Sequence, residues 1–284
     1  VGSPYLTVYS VSGGTLTKLP DPADLPTDNG YSCAFSPDGT LLAVAHFGSP
    51  YLTVYSVSGD TLTKLPDPAD LPTDNGYSCA FSPDGTLLAV AHNGSPYLTV
   101  YSVSGGTLTK MDDPADLPTG IGYSCAFSPD GQYLAVGHGS SPYLTVIRTS
   151  DWTKITTPTL PGDGYGCAFS PDGQYLAVAH NGSPYLTVIR TADWSKITAP
   201  SLPSIGYSCA FSPDGQYLAV AHNNSPYLTV IRTADWSKIT APSLPSIGYS
   251  CAFSPDGQYL AVAHNNSPYL TVIRTADWSK ITAP

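Results

Sequence analysis

The chain is 284 residues long with a formal net charge of −10 from 11 basic and 21 acidic side chains, which excludes a phosphate-clamping nucleic-acid binder, because that needs clustered lysine and arginine. Every acidic residue is aspartate; with 28 prolines, 26 glycines and 20 tyrosines this argues for short strands joined by turns and against helix, whose interior favours glutamate. No run of about 18 apolar residues marks a membrane span, and no charged-then-apolar leader marks a signal peptide.

In chain order, the first 30 residues give two strands, in "YLTVYS" and "TLTKL", and then an acidic loop, "PDPADLPTDNG". Six full units follow, starting near residues 31, 77, 123, 165, 207 and 249. Their shared motif "CAFSPDG" sets Cys33, Cys79, Cys125, Cys167, Cys209 and Cys251 at spacings of 46, 46, 42, 42 and 42 residues. Within a unit, strand A is "YSCAF" and strand B is "LLAVAH" or "YLAVAH". Between them "SPDG" places proline at the second position of a type I turn and leaves glycine the left-handed bulge position. Strand C is "YLTVYS" or "YLTVIR", and strand D is "TLTKL" or "SKIT".

Pairing Ser36 with Thr40 sets Phe35 opposite Leu41, Cys33 opposite Ala43 and Tyr31 opposite Ala45, with His46 on the other face. Both faces are largely apolar, so both are expected to be buried. All seven lysines, Lys18, Lys64, Lys110, Lys154, Lys196, Lys238 and Lys280, fall in strand D. A cation there protects an outer edge from pairing with other chains.

A four-stranded unit repeating at about 42 residues has the period of a propeller blade. The expected fold is all-β: a single β-propeller domain over residues 1–284, built from four-stranded antiparallel blades. The chain begins and ends part-way through its unit, with a partial blade of strands C and D over residues 1–30. Seven blades are expected, one of them incomplete or shared with a neighbour; six blades with a spare C–D hairpin is the alternative.

The run "AFSPDGQYLAVAH" followed by "LTVIRT" resembles the WD-repeat and related bacterial β-propeller families over essentially the whole chain. It departs from their pattern in lacking the Gly-His pair before strand A and the Trp-Asp pair after strand C. The reversed order stands in the C–D connection at Asp151-Trp152, Asp193-Trp194, Asp235-Trp236 and Asp277-Trp278. The resemblance implies a binding scaffold. A looser similarity to phage and bacterial surface proteins points to an extracellular or virion-associated place.

The cysteines read as buried free thiols, since equivalent positions on face-packed sheets lie about 10 Å apart, beyond disulfide reach. One cysteine and one histidine per blade do not converge as zinc ligands. His46, His92, His138, His180, His222 and His264 end strand B on the loop-face rim, either bonded to backbone or ringing a ligand. Asn93, Asn181, Asn223 and Asn265 join them as candidate ligand-binding residues, and each begins an Asn-x-Ser sequence followed by proline. Asp21, Asp24, Asp28, Asp67, Asp70 and Asp74, with Asp112, Asp113 and Asp116, supply oxygens of the kind calcium takes. Prolines interrupt each run, which favours turn and cap roles. Trp152, Trp194, Trp236 and Trp278, near Arg148, Arg190, Arg232 and Arg274, are binding anchors or stack on the arginines to seal blade edges.

Near-identical blades offer no unique nucleophile or base, so no catalytic residue and no cofactor are expected. The expected function is a non-catalytic scaffold for multivalent recognition of a protein or glycan surface. The alternative is a structural component of an extracellular or virion assembly, a coat, fibre or tail built from copies of the chain, with a propeller hydrolase as a third reading.

Overall fold

Each repeat is organised by its tightest turn. Ser36 Oγ accepts the Leu41 N–H at 2.9 Å and donates to Asp38 Oδ1 at 2.6 Å, and that carboxylate accepts the Thr40 N–H at 3.0 Å. Gly39 sits at φ +70°, the left-handed geometry that glycine adopts without a Cβ penalty. A computed structural model describes residues 4–12 and 15–281.

The first two strands, β1 (Tyr9–Ser12) and β2 (Thr15–Lys18), form a two-stranded antiparallel sheet. The first blade is β3 (Gly30–Phe35), β4 (Leu41–His46), β5 (Leu52–Ser58) and β6 (Thr61–Lys64). The second is β7 (Gly76–Phe81), β8 (Leu87–His92), β9 (Leu98–Ser104) and β10 (Thr107–Lys110). The third is β11 (Gly122–Phe127), β12 (Tyr133–His138), β13 (Leu144–Arg148) and β14 (Lys154–Ile155), and the fourth is β15 (Gly164–Phe169), β16 (Tyr175–His180), β17 (Leu186–Arg190) and β18 (Ser195–Ile197). The fifth is β19 (Gly206–Phe211), β20 (Tyr217–His222), β21 (Leu228–Arg232) and β22 (Lys238–Ile239), and the sixth is β23 (Gly248–Phe253), β24 (Tyr259–His264), β25 (Leu270–Arg274) and β26 (Ser279–Ile281). In every sheet the strands lie in chain order, so all connections within a blade are hairpins and the fold is an all-β propeller of four-stranded antiparallel blades. Every lysine ends up in a terminal strand of its sheet, as expected of edge protection.

Six four-stranded blades stand among the described residues, beside the separate β1–β2 sheet. This is the six-blade arrangement with a spare hairpin and corrects the expectation of seven. Each of the six A–B hairpin sequences of the chain is used by one of these blades, and β1 and β2 form a sheet of two strands among the described residues.

The chain divides into two compact units. The first comprises residues up to 140 with 145–155; the second comprises residues 141–144 and those from 156 onward. Within the first, the alanine face of one blade receives the larger side chains of the next: Ala43 and Ala45 pack against Cys79, Leu88 and Val90. Within the second, Ala177 and Ala179 receive Cys209, Leu218 and Val220 in the same way. In the first five blades strand B is buried on both faces, as its unbroken apolar run requires, whereas in the sixth Ala263 is exposed.

The A–B register is one residue from the expected one. Phe35 pairs with Leu42, Ala34 with Ala43, Cys33 with Val44 and Ser32 with Ala45, with an irregularity between Gly30 and Ser32. The cause is the turn: Ser36 N–H donates to Leu41 O, so Thr40 lies outside the A–B ladder. Cys33 therefore lies on the same face of the hairpin as Val44 and His46, where the expected register put it on the other face.

Candidate binding clefts

The six histidines are not on the rim. They are 0–4% exposed, and each Nε2 meets the hydroxyl of a strand-C threonine, as in His46–Thr53 at 2.9 Å, His92–Thr99 at 2.9 Å and His138–Thr145 at 3.0 Å. This corrects the expected rim position. Strand C folds directly beside the end of strand B, and its threonine gives the imidazole an internal partner. In the first blade Nδ1 lies 2.8 Å from the Phe47 carbonyl. A carbonyl only accepts, so Nδ1 carries the proton and Nε2 accepts from Thr53. Burial pushes the imidazoles of His92, His180 and His222 down to about 4, and that of His46 down as well.

The asparagines and aspartates knit the loops together. Asn93 Nδ2 donates to Asp74 Oδ2, and Asn181 Nδ2 to Asp163 Oδ2, both at 2.9 Å. The backbone N–H groups of Asn223 and Asn265 reach the carbonyls of Ile205 and Ile247. Asp28 and Asp74 each accept the following residue's N–H at 2.7 Å. Asp21 and Asp67 pair with Lys18 and Lys64 at 3.0 Å, and Asp113 with Lys110 at 3.2 Å. The carbonyls of Asp24 and Asp70 accept the buried Tyr55 and Tyr101 hydroxyls at 2.8 Å. No three His, Cys or Asp groups gather as a metal cluster among the described residues.

All six cysteines are free thiols. Cys79, Cys125, Cys209 and Cys251 are buried, Cys167 is half-buried and Cys33 is exposed, contrary to the expectation that all are buried. The preceding blade explains the contrast, because Cys79 Sγ lies 3.6 Å from Ala43 O and Cys209 Sγ 3.5 Å from Ala177 O, whereas only the two-stranded sheet precedes Cys33. Burial raises the thiols of Cys125 and Cys251 to about 11. Under native conditions at pH 8 a maleimide reagent is therefore expected to label Cys33 first and to leave the four buried thiols protected until unfolding. Equal labelling of all six in peptide mapping would contradict this packing.

Two of the tryptophans pack against a tyrosine of the preceding blade, and Trp152 packs, as Leu87 does, against a buried apolar cluster. Trp236 meets Tyr175 edge-on at 5.2 Å, and Trp278 meets Tyr217 at 5.1 Å, geometries in which the ring quadrupoles attract. Arg148 and Arg190 instead pair with Asp151 and Asp193, at 3.2 and 3.3 Å.

Two features escaped the sequence reading. The tyrosines that open strand A form contiguous edges of rings, Tyr31–Tyr77–Tyr123 in the first unit and Tyr165–Tyr207–Tyr249 in the second, with neighbouring centroids 5.3–5.8 Å apart. The acidic return loop also forms a cleft with the next blade's outer strand. Pro22 and Asp24 face Asp60 and Thr63 across about 280 Å³; one repeat later, Pro68 and Asp70 face Gly106 and Thr109 across about 320 Å³. In the second unit a related cleft of about 400 Å³, between Leu202 and Ile239, carries no carboxylate. The repeat period was the available signal, since 46 residues separate both halves of the first cleft from both halves of the second.

Residues 118–141 match the family model described as WD domain, G-beta repeat. No curated protein matches the chain in sequence. Among solved structures, Kuenenia stuttgartiensis hydrazine synthase is similar with a TM-score of 0.79 and 19% identity, over 95% of this chain and 90% of that one; at that identity the likeness is one of fold alone. The chain is thus a WD-repeat-like β-propeller, a fold and repeat that fit a scaffold role in binding.

Proposed function

We propose that the chain is a non-catalytic scaffold that recognises basic protein surfaces multivalently through the acidic clefts of its first unit. The carrying observation is recurrence: the cleft of Asp24 and Asp60 returns one repeat later around Asp70, with the same prolines and the same outer-strand threonines. Each cleft is small enough to take one or two side chains, so affinity comes from simultaneous occupation. Carboxylates in excess of lysine, on a chain of net charge −10, select cationic partners and speed their encounter.

Protein and glycan arrays probed with the intact chain supply the test. The best protein ligand is expected to weaken about three- to tenfold with Asp24→Asn or Asp70→Asn alone, roughly 1 kcal/mol each, and by more than either with both. Preferential glycan binding, or protein binding indifferent to the double variant, would sink the proposal.

A second reading, assembly of copies of the chain, is favoured by the open face of β3, where Tyr31 is 53% and Phe35 54% exposed. Their counterparts Tyr77 and Phe81 are half-buried. Self-association that rises with concentration and is abolished by Phe35→Asp supports it; a monomeric mass at every concentration counts against it.

A further inference from the structure

The groove between the first two blades is open where later grooves of the same molecule are filled. Between the fourth and fifth blades Trp236 lies on Tyr175, and Arg190 pairs across the strands with that same tyrosine. Between the fifth and sixth, Trp278 lies on Tyr217, and Arg232 occupies the paired position. In the second unit such a groove is thus completed by an indole on the tyrosine, with an arginine at the cross-strand position beside that tyrosine.

Between the first and second blades all three contributors are exchanged. Leu41 stands at the tyrosine position and pairs with Ser56 where the arginine would be. The C–D turn of the second blade carries Gly105 and Gly106 and has no tryptophan. What remains is a cavity of about 450 Å³ walled by Leu41, Val57, Leu65 and Val103, with Asp38 and Asp84 at its mouth and no basic residue in its lining. Gly106 comes so close to the wall that a Cβ on it would lie 3.0 Å from Leu65 Cδ1. The turn tip therefore closes one end of the groove without filling its body. Both carboxylates are fixed by their own serines: Ser36 and Ser82 donate to Asp38 and Asp84 at 2.6 and 2.5 Å.

We propose that this groove binds an aromatic cation, a flat ring of indole size bearing a positive charge, which replaces the indole and guanidinium that the second unit supplies from its own chain. The ring enters between the aliphatic walls, and the charge stays at the mouth between the two carboxylates, partly hydrated. Such sites join a mostly apolar cavity to a few placed polar groups. The groove lies on the A–B turn side of the blades and shares only Gly106 with the outer clefts, so it stands or falls separately from them.

Tryptamine is the probe, titrated into the intact chain by calorimetry and by NMR. One equivalent is expected to bind, with a dissociation constant of about 0.1–1 mM, as befits a small ligand in a half-open site. Indole-3-acetate, the same ring with the opposite charge, is expected to bind at least tenfold more weakly. Val103→Trp, which fills the groove from within, is expected to weaken tryptamine at least tenfold, and Asp38→Asn to weaken it about threefold while leaving the ring's binding in place. Circular dichroism of each variant checks that the fold is retained. Because the charge-reversed ligand is tested on the unaltered protein, a variant that fails to fold leaves the proposal exposed. No saturable tryptamine binding, equal affinity for indole-3-acetate, or undiminished binding in a folded Val103→Trp protein would each overturn it.

Discussion

Acidification from pH 7 to pH 4 is expected to remove about 9 kcal/mol of stability through three buried histidines alone. The imidazoles of His92, His180 and His222 titrate at about 4 in the folded chain, against 6.5 in an unfolded one, because burial disfavours the cation. A downward shift of this kind means that the unfolded chain binds the protons first. Stability is therefore complete above about pH 6.5 and drains away as the pH falls through the interval to about 4. At 1.36 kcal/mol per pH unit, each histidine accounts for about 3 kcal/mol. The sum is comparable with the whole net stability of an ordinary domain, about 5–15 kcal/mol, so unfolding is expected before pH 4 is reached. His46 and His264 shift the same way and add to the loss. The surface carboxylates lowered by neighbouring hydroxyls, Asp38 and Asp151 among them, act only at lower pH. Urea midpoints measured from pH 7.5 to pH 4.5 should fall throughout the lower part of this range. His92→Gln, which cannot ionise there, should flatten the curve by about a third of the three-histidine effect. A midpoint constant between pH 7 and pH 5 would show that the imidazoles are not buried as described.

The second large effect is steric. Gly76 opens β7 against the preceding blade, and a Cβ there would stand 2.5 Å from the Tyr51 carbonyl oxygen and 3.1 Å from the Ala45 Cβ. The carbonyl cannot withdraw freely, because it accepts the His46 N–H at 3.1 Å. Tyr51 itself is held at φ +66°, a conformation rare for an aromatic residue. Gly76→Ala is accordingly expected to cost about 3 kcal/mol by overpacking, and to lower Tm by roughly 5 °C for a chain of this size. Gly39→Ala is the control. Its φ of +70° opposes a side chain, yet nothing lies within 4 Å of the added carbon, so about 1 kcal/mol is expected. Equal costs at the two positions in a thermal melt would refute the close blade contact.

The parts of the fold that depend on local chemistry were legible in the sequence. "SPDG" announced the hairpin because proline, aspartate and glycine each meet a distinct need of that turn, and the lysines announced the outer edge. The A–B register was not legible to the residue, since it depends on whether Leu41 or Thr40 bonds with Ser36 across the turn, and Leu41 does so through both its N–H and its carbonyl. The histidine positions misled for a related reason: a polar residue at a strand end reads as rim, and only the folded strand C reveals Thr53 or Thr99 as its partner. Of the candidate site, the acidic loops were visible, but their clefts join segments about 40 residues apart. The open groove could be recognised only against the filled ones. Its cause lies in three sequence differences that look unrelated when read along the chain, a leucine for a tyrosine at position 41, a serine for an arginine at position 56, and a glycine pair at positions 105 and 106.

Repeated recognition is tested most directly by counting ligands. A short peptide rich in lysine and arginine, selected on the intact chain, should be seen by native mass spectrometry to bind in at least two equivalents, and Asp24→Asn and Asp70→Asn should each weaken one of them about three- to tenfold. A single equivalent that persists in both variants would contradict the proposal that the outer clefts are the binding sites.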